Sequence, residues 1–389
     1  MNTQNKVPHR YCLLQGCYWM SYGPIYSFAT VYLLERGFSN GQIGTLIGLS
    51  CALSAICQPF AAAAADRGTH FSLRTLMIFA CLLIMLPAIV LIFPYTPIPL
   101  VALCYTVLIL LHLGYQPLLS ALGMQLLNHG YPLNFGLARG IGSIGYAILA
   151  VFLGNFTLRF SVYCLPLLGC FLCFCSMILL RTLPDIRSHG STRVSSQGTL
   201  SLLRAYPRFS LFCIGIVLLF VSHSAINTYM FQILEHIGKG EAELGQVMAY
   251  TALLEFVVMI FFLRLVKNRD CGNVLRFCAF FFVCKAAFVP LAGNLLLLYL
   301  ALLTQALSFA LFAPASVYYA NVVLPEQDRV KGQALITIAI TIGNILGSFL
   351  CGHFMELWGV TIAILLTAAM AFVGMFFFFG GTEKTGVIW

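Results

Sequence analysis

Apolar runs, separated by short polar or Pro/Gly breaks, repeat from one end of this chain to the other. A helix that crosses a bilayer needs about 20 apolar residues. Runs of that length predict twelve spans, near 10–34, 41–65, 73–93, 99–127, 134–155, 160–181, 208–234, 244–266, 274–292, 294–323, 332–356 and 359–381. The thinnest division is Ala292-Gly293-Asn294, between the ninth and tenth. The first run is too long and too tyrosine-rich for a signal peptide, and no A-x-A site follows it, so it is expected to be retained.

Composition sharpens this picture. Hydrophobic residues make up 60% of the 389 and charged residues 8%, against about 25% charge in a soluble domain. That excludes a soluble enzyme, a nucleic-acid-binding domain and a disordered protein. The expected class is an all-α, multi-pass integral membrane protein. The +9 net charge then concerns orientation. With the N-terminus in the cytoplasm, sixteen of the 21 cations fall in or beside cytoplasmic segments, and only Arg36, Arg159 and Lys239 fall outside. This positive-inside bias predicts both termini in the cytoplasm, in a membrane expected to be the bacterial inner membrane. The 15 cysteines lie almost entirely within apolar runs, with no Cys/His cluster at zinc spacing, so no metal site is expected.

The longest polar stretch, 182–207, is basic and rich in Ser, Gly and Pro. It divides the chain into an N-terminal bundle (1–183), a cytoplasmic linker (184–205) and a C-terminal bundle (206–389), six spans each side. The halves echo each other weakly. Gly41-Gln42-Ile43 opens the second span and Gly245-Gln246-Val247 the eighth, while Asp66-Arg67-Gly68 follows the second and Arg269-Asp270-Cys271-Gly272 the eighth.

An ionisable side chain at the bilayer centre costs at least ~2.5–3.5 kcal/mol and needs a reason. Glu255 is the only carboxylate well inside a span, and Lys285 the only lysine. Each lies roughly 16 Å from its own helix end at ~1.5 Å per residue, on consecutive antiparallel spans. An ion pair is expected, either as a structural lock or as a protonation switch. Other polar residues fall in helical stripes: His112, Gln116 and Ser120; Arg139, Ser143 and Tyr146; His223 and Asn227; Gln305 and Ser308; Thr341, Asn344 and Ser348. Such faces line a cavity or pack against other helices; the cavity reading is preferred for Gln116, His223 and Asn227. Tyr22 and Tyr26, one turn apart around Pro24, suit stacking on a ring or filling a gap. On depth alone Arg139 reads equally as a cavity residue or as an arginine snorkelling to the interface.

The segment Asn134-Phe135-Gly136-Leu137-Ala138-Arg139-Gly140-Ile141-Gly142 resembles the fifth-span opening of lactose permease and the phenylpropionate permease group, within the major facilitator superfamily. Ser21-Tyr22-Gly23, His223 and Glu255, ten residues after Gly245, resemble the same group, and Lys285 matches the position of a ninth-span arginine there. The resemblance implies twelve helices in two pseudo-symmetric bundles, alternating access and proton symport. It implies that Arg139 contacts substrate, and it places Tyr146 where the lactose permease has a sugar-stacking tryptophan. It assigns Asp66 and Arg67 to a reduced gating motif. The departures are Ser120 where that permease has an acidic partner for its arginine, and Gln305 near its tenth-span histidine. These weaken a galactoside site and equally suit a carboxylate on the substrate.

The expected function is therefore proton-coupled secondary transport of a sugar, oligosaccharide, or aromatic or organic carboxylate. A drug or nucleoside transporter, or a transporter-like sensor without flux, stands as the alternative. Substrate contacts are expected from Tyr22, Tyr26, Gln116, Arg139, Tyr146, His223, Asn227, Gln305 and Asn344, and proton coupling from Glu255, Lys285 and His223. No H-e-x-x-H-like or G-x-S-x-G motif argues for an intramembrane enzyme, and no Walker A motif argues for ATP drive. The expected partners are solute, protons and lipid, with no cofactor and no nucleic acid, in a chain acting as a monomer.

Overall fold

A computed structural model describes residues 6–66, 72–133, 135–186 and 199–386. Among these residues the secondary structure is helical, without strands. The helices are α1 (Lys6–Tyr22), α2 (Ala29–Glu35), α3 (Asn40–Asp66), α4 (Leu73–Leu91), α5 (Ile98–Asn128), α6 (Phe135–Phe160), α7 (Cys164–Thr182), α8 (Thr199–Ala205), α9 (Pro207–Thr228), α10 (Met230–His236), α11 (Glu241–Val266), α12 (Cys271–Phe288), α13 (Leu295–Leu307), α14 (Phe309–Val323) and α15 (Arg329–Gly381).

Ten helical segments among the described residues are long and apolar enough to cross a membrane. Local chemistry explains the difference from the expected twelve. Pro24 offers no N–H to the helical ladder, so the chain runs through a π turn at Gly23–Ser27, closed by Phe28 N donating to Gly23 O at 3.0 Å. The first expected span is thus split into α1 and α2. At the other end, the expected spans 332–356 and 359–381 run together as α15, which departs from helical geometry only at Gly359 (φ +79°). A side chain is strained at that φ, and glycine is not. The expected break at Ala292-Gly293-Asn294 is present: a 3₁₀ turn ends at Leu291, and the Asn294 side chain accepts from Leu297 N at 2.9 Å to cap α13.

The chain forms two compact units. One comprises Met1–Phe38, Leu49–Arg193 and Glu241–Ala252; the other comprises Ser39–Gly48, Val194–Gly240 and Leu253–Trp389. They differ from the sequence halves 1–183 and 206–389 at residues 39–48 and 241–252, the opening turns of α3 and α11. In the second unit the orphan amide of Gly41 donates to Glu356 Oε2 at 3.1 Å, and Ser39 Oγ donates to the same oxygen at 3.2 Å. The carboxylate thus satisfies the positive end of α3.

The core of the second unit is aromatic, with Phe209, Phe212, Phe220, Phe282, Phe312 and Phe378 buried together. Their rings meet edge-on or tilted, as in Phe220–Phe282 at 5.5 Å and Phe212–Phe378 at 4.7 Å. Large apolar side chains are equally abundant outside: Phe152, Phe171, Leu296 and Phe376 are all more than half exposed. An outer surface of this kind suits lipid and not water.

Candidate functional site

In the first unit, the π turn and α1 present a wall of aromatic rings. Tyr22 stacks on Tyr26 with centroids 4.9 Å apart, and Tyr146 of α6 approaches Tyr22 edge-on at 6.2 Å. The Tyr146 hydroxyl is hydrogen-bonded to Ser27 Oγ at 2.8 Å, which fixes the ring. Both tyrosines of the stack and Tyr146 are half-buried.

Arg139 belongs to this wall. Its guanidinium lies over the Trp19 ring, 3.6 Å from the centroid, and Nη1 donates to Ser143 Oγ at 2.8 Å. The indole is held in turn: Trp19 Nε1 donates to Gln15 Oε1 at 3.2 Å, and Gln15 Nε2 donates to the Tyr11 hydroxyl at 2.8 Å. Gly142 makes the stack possible, because a Cβ there would stand 2.5 Å from Trp19 Cδ1. Sequence reasoning placed Arg139 on a stripe with Ser143 and Tyr146, but it missed Trp19 as its partner. The readable signal was glycine three residues after the arginine. Ser120 bonds to its own helix, at Gln116 O.

His112, left open by sequence, is buried under this wall. It stacks on Tyr18 at 4.8 Å and bonds through Nε2 to Ser21 Oγ at 2.8 Å, while Nδ1 has no hydrogen-bond partner among the described residues. Gln116, one turn further along α5, is exposed. Asp66 and Arg67 lie outside the residues whose side chains are described.

In the second unit, side chains from four helices form one hydrogen-bonded chain. Glu255 (α11) accepts from Gln305 Nε2 (α13) at 2.7 Å. Gln305 Oε1 accepts from Lys285 Nζ (α12) at 2.8 Å. Lys285 Nζ also lies 2.8 Å from His223 Nδ1 (α9), and His223 Nε2 lies 2.9 Å from Asn227 Nδ2. Lys285 is 1% exposed, Gln305 2% and His223 6%. Phe309 stacks on the imidazole at 4.8 Å and Phe282 meets it edge-on at 5.5 Å, so the nitrogens sit in an apolar box.

The ion pair expected between Glu255 and Lys285 is replaced by a bridge. Gln305 stands between them, its amide oxygen toward the cation and its amide nitrogen toward the carboxylate. The three ion pairs among the described residues lie elsewhere, at Arg74–Asp185, Arg208–Glu383 and Lys331–Asp328. A neutral amide can serve both charges because it carries an acceptor and a donor at opposite corners. Sequence reasoning had Gln305 as a substrate contact and did not foresee this role. Asn344, on α15, is half-buried, and its main-chain carbonyl accepts from Ser224 Oγ at 3.1 Å.

A helical chain with an apolar exterior and polar clusters deep inside its helices has the build of a multi-pass membrane transporter, and comparisons with known proteins agree. Residues 11–366 match the model of the MFS_1-like family, and the chain belongs to that family. Among solved structures, a variant of the nucleoside transporter NupG superposes with a TM-score of 0.84 at 16% identity, covering 98% of this chain and 100% of that one. A bacterial homologue of the human lysosomal transporter Spinster gives a TM-score of 0.72 at 16% identity, over 98% of each chain. A D-xylose-proton symporter gives 0.72 at 13% identity, also over 98% of each. At such identities these likenesses speak to fold alone. No curated protein matches in sequence. The chain is a transporter of the major facilitator superfamily and not an enzyme. The narrower likeness to the lactose and phenylpropionate permeases rests on the sequence motif.

Proposed function

We propose that this transporter carries a small organic solute bearing a ring and an anionic or hydroxyl-rich group, in symport with protons, by alternating access. The observation that carries the reading is the Glu255–Gln305–Lys285–His223 chain, since ionisable groups buried in a membrane helix bundle are costly and mark ion or substrate pathways. The solute-binding part of the reading rests on the wall of Tyr22, Tyr26 and Tyr146 beside Arg139. Aromatic faces receive a sugar or aromatic ring, and a guanidinium held flat by Trp19 offers its edge to a carboxylate or to hydroxyls. Gln116, Asn227 and Asn344 are further candidate contacts, Asp66 and Arg67 are candidate gating residues, and no cofactor is needed.

A nucleoside is the second reading. The same aromatic wall suits a nucleobase, and NupG, similar in fold, is described as a nucleoside transporter. Purified protein in proteoliposomes decides between them. Sugars, nucleosides and aromatic acids are first screened by thermal shift, because a ligand of the folded state raises its stability. Hits are then tested for uptake against their gradient under an imposed pH difference. A solute that equilibrates but never accumulates refutes proton symport.

A further inference from the structure

We infer that Lys285 and His223 together form a site for a single proton, and that Glu255 serves it as a counter-charge through Gln305 without itself being the proton carrier. The inference rests on the proton-coupled reading above and assigns the carrier within it.

Hydrogen counting limits the charge states that this contact allows. Lys285 Nζ and His223 Nδ1 are 2.8 Å apart, a hydrogen-bond distance between two nitrogens. One hydrogen occupies that line. A charged lysine is donor only, and a charged imidazole is donor at both nitrogens. If both were charged, two N–H groups would point at each other inside an apolar box. The doubly protonated pair is therefore incompatible with this contact. What remains is a pair with no added proton, or a pair with one, which the more basic amine holds as ammonium donating to the unprotonated Nδ1.

The surroundings fit a site that changes charge by one. The described hydrogen-bond partners of Lys285 Nζ are His223 Nδ1 and Gln305 Oε1, both uncharged in the protonated state of the pair. A lysine locked by a carboxylate in direct contact would hold its proton too firmly to release it. Here the carboxylate acts from one amide away. Glu255 and His223 are the titratable groups facing Lys285 from α11 and α9, and Gln305 is the polar group facing it from α13. Asn227 completes the device. A charged Lys285 requires hydrogen on His223 Nε2, and the amide must then turn its oxygen to that nitrogen. An uncharged Lys285 also permits hydrogen on Nδ1, with Asn227 Nδ2 donating to Nε2. Loading the proton thus constrains both the imidazole tautomer and the Asn227 amide, and conveys the charge state along α9.

The test needs no solute. Infrared difference spectra of the purified full-length protein are recorded between acid and alkaline medium, following imidazole ring bands and the protonated-carboxyl band. The comparison is between wild type, Lys285→Arg and Glu255→Gln. Arginine keeps the charge but does not release its proton. The wild type is expected to show one imidazole-linked step beyond those of the chain's seven other histidines, without a protonated-carboxyl band beyond those of its exposed acids. That step is expected to disappear in Lys285→Arg and persist in Glu255→Gln. A step that survives Lys285→Arg overturns the inference, as does one that vanishes in Glu255→Gln or no step in the wild type. Should Lys285→Arg misfold, shown by a lost thermal transition, His223→Gln takes its place and must abolish the imidazole bands of the step. If the spectra behave as expected while no solute accumulates under a pH gradient in proteoliposomes, the symport reading fails and the proton site stands.

Discussion

The guanidinium of Arg139 lies 3.6 Å from the ring centroid of Trp19, so a cation that could have snorkelled to the interface is instead held flat against α1. A cation–π contact contributes ~0.5–2 kcal/mol, depending on how far it is desolvated. Ser143 adds a hydrogen bond at 2.8 Å. Together they fix the orientation of its fork of donors.

Arg139→Lys is expected to weaken solute binding by roughly tenfold or more, because the ammonium is a point charge that neither stacks flat nor makes a bidentate fork. Trp19→Leu is expected to do the same with Arg139 intact. The measurement is the solute-dependent thermal shift. Unchanged affinity in both variants would show that the stack has no part in binding.

Gly142→Val tests the same geometry from α6. The new Cβ would stand 2.5 Å from Trp19 Cδ1 and 3.3 Å from Gln15 O. The indole must move, and Arg139 loses its platform. Overpacking of this kind costs about 1–3 kcal/mol. A lower melting temperature together with loss of solute binding is expected; binding equal to the wild type would show that the indole has room to yield.

How much of this was readable in advance divides along physical lines. Apolar runs gave the helices because lipid penalises every long polar interruption. The break at Ala292-Gly293-Asn294 was readable because glycine and asparagine interrupt a helix locally. The π turn at Pro24 was half-legible: proline announces a break, but not whether the helix kinks or gains a residue in one turn. Arg139, Glu255 and Lys285 stood out because charge in an apolar run is rare. Their partners did not, since Trp19 and Gln305 are ordinary in composition and acquire their roles only when distant helices meet. Depth along each helix placed Glu255 and Lys285 at similar levels, and nothing in the sequence showed an amide interposed between them.

Acid stability should carry a signature of Asp270, which lies just before α12 and outside the spans. Burial raises its pKa. Hydrogen bonds from Asn273 N, from Thr385 N at 2.6 Å and from Thr385 Oγ1 at 3.2 Å outweigh that, leaving it below the ordinary carboxylate value. A depressed folded-state pKa contributes stability above the unfolded-state value, and that stability is lost as pH falls through the folded-state value. Asp270→Asn is therefore expected to lower the melting temperature at neutral pH and to flatten its fall in acid. A melting curve that falls equally steeply with acid in both proteins would assign the acid sensitivity to other groups.

Gln305 offers the sharpest stability test because it serves two charged partners at once. Gln305→Leu keeps the approximate volume but removes the acceptor for Lys285 Nζ and the donor to Glu255 Oε1. Lys285 is buried and cannot turn to water, so the loss falls mainly there; Glu255, half-buried, recovers part of its own. Leaving a buried polar group without its partner costs about 1–3 kcal/mol, and more where charge is involved. Gln305→Glu should behave differently. It restores an acceptor to Lys285, now a charged one, but places a second carboxylate against Glu255 and removes the amide donor. Combining it with Glu255→Gln reverses the order of the two side chains and recreates a carboxylate–amide pair beside the lysine. The expected order of melting temperature is wild type highest, the exchanged double variant next, then each single variant. The double variant should also fall outside simple addition, since residues in contact within one network couple by about 0.5–3 kcal/mol. Additive effects of the two substitutions would mean that Gln305 and Glu255 act independently and that the bridge carries no coupling between the carboxylate and Lys285.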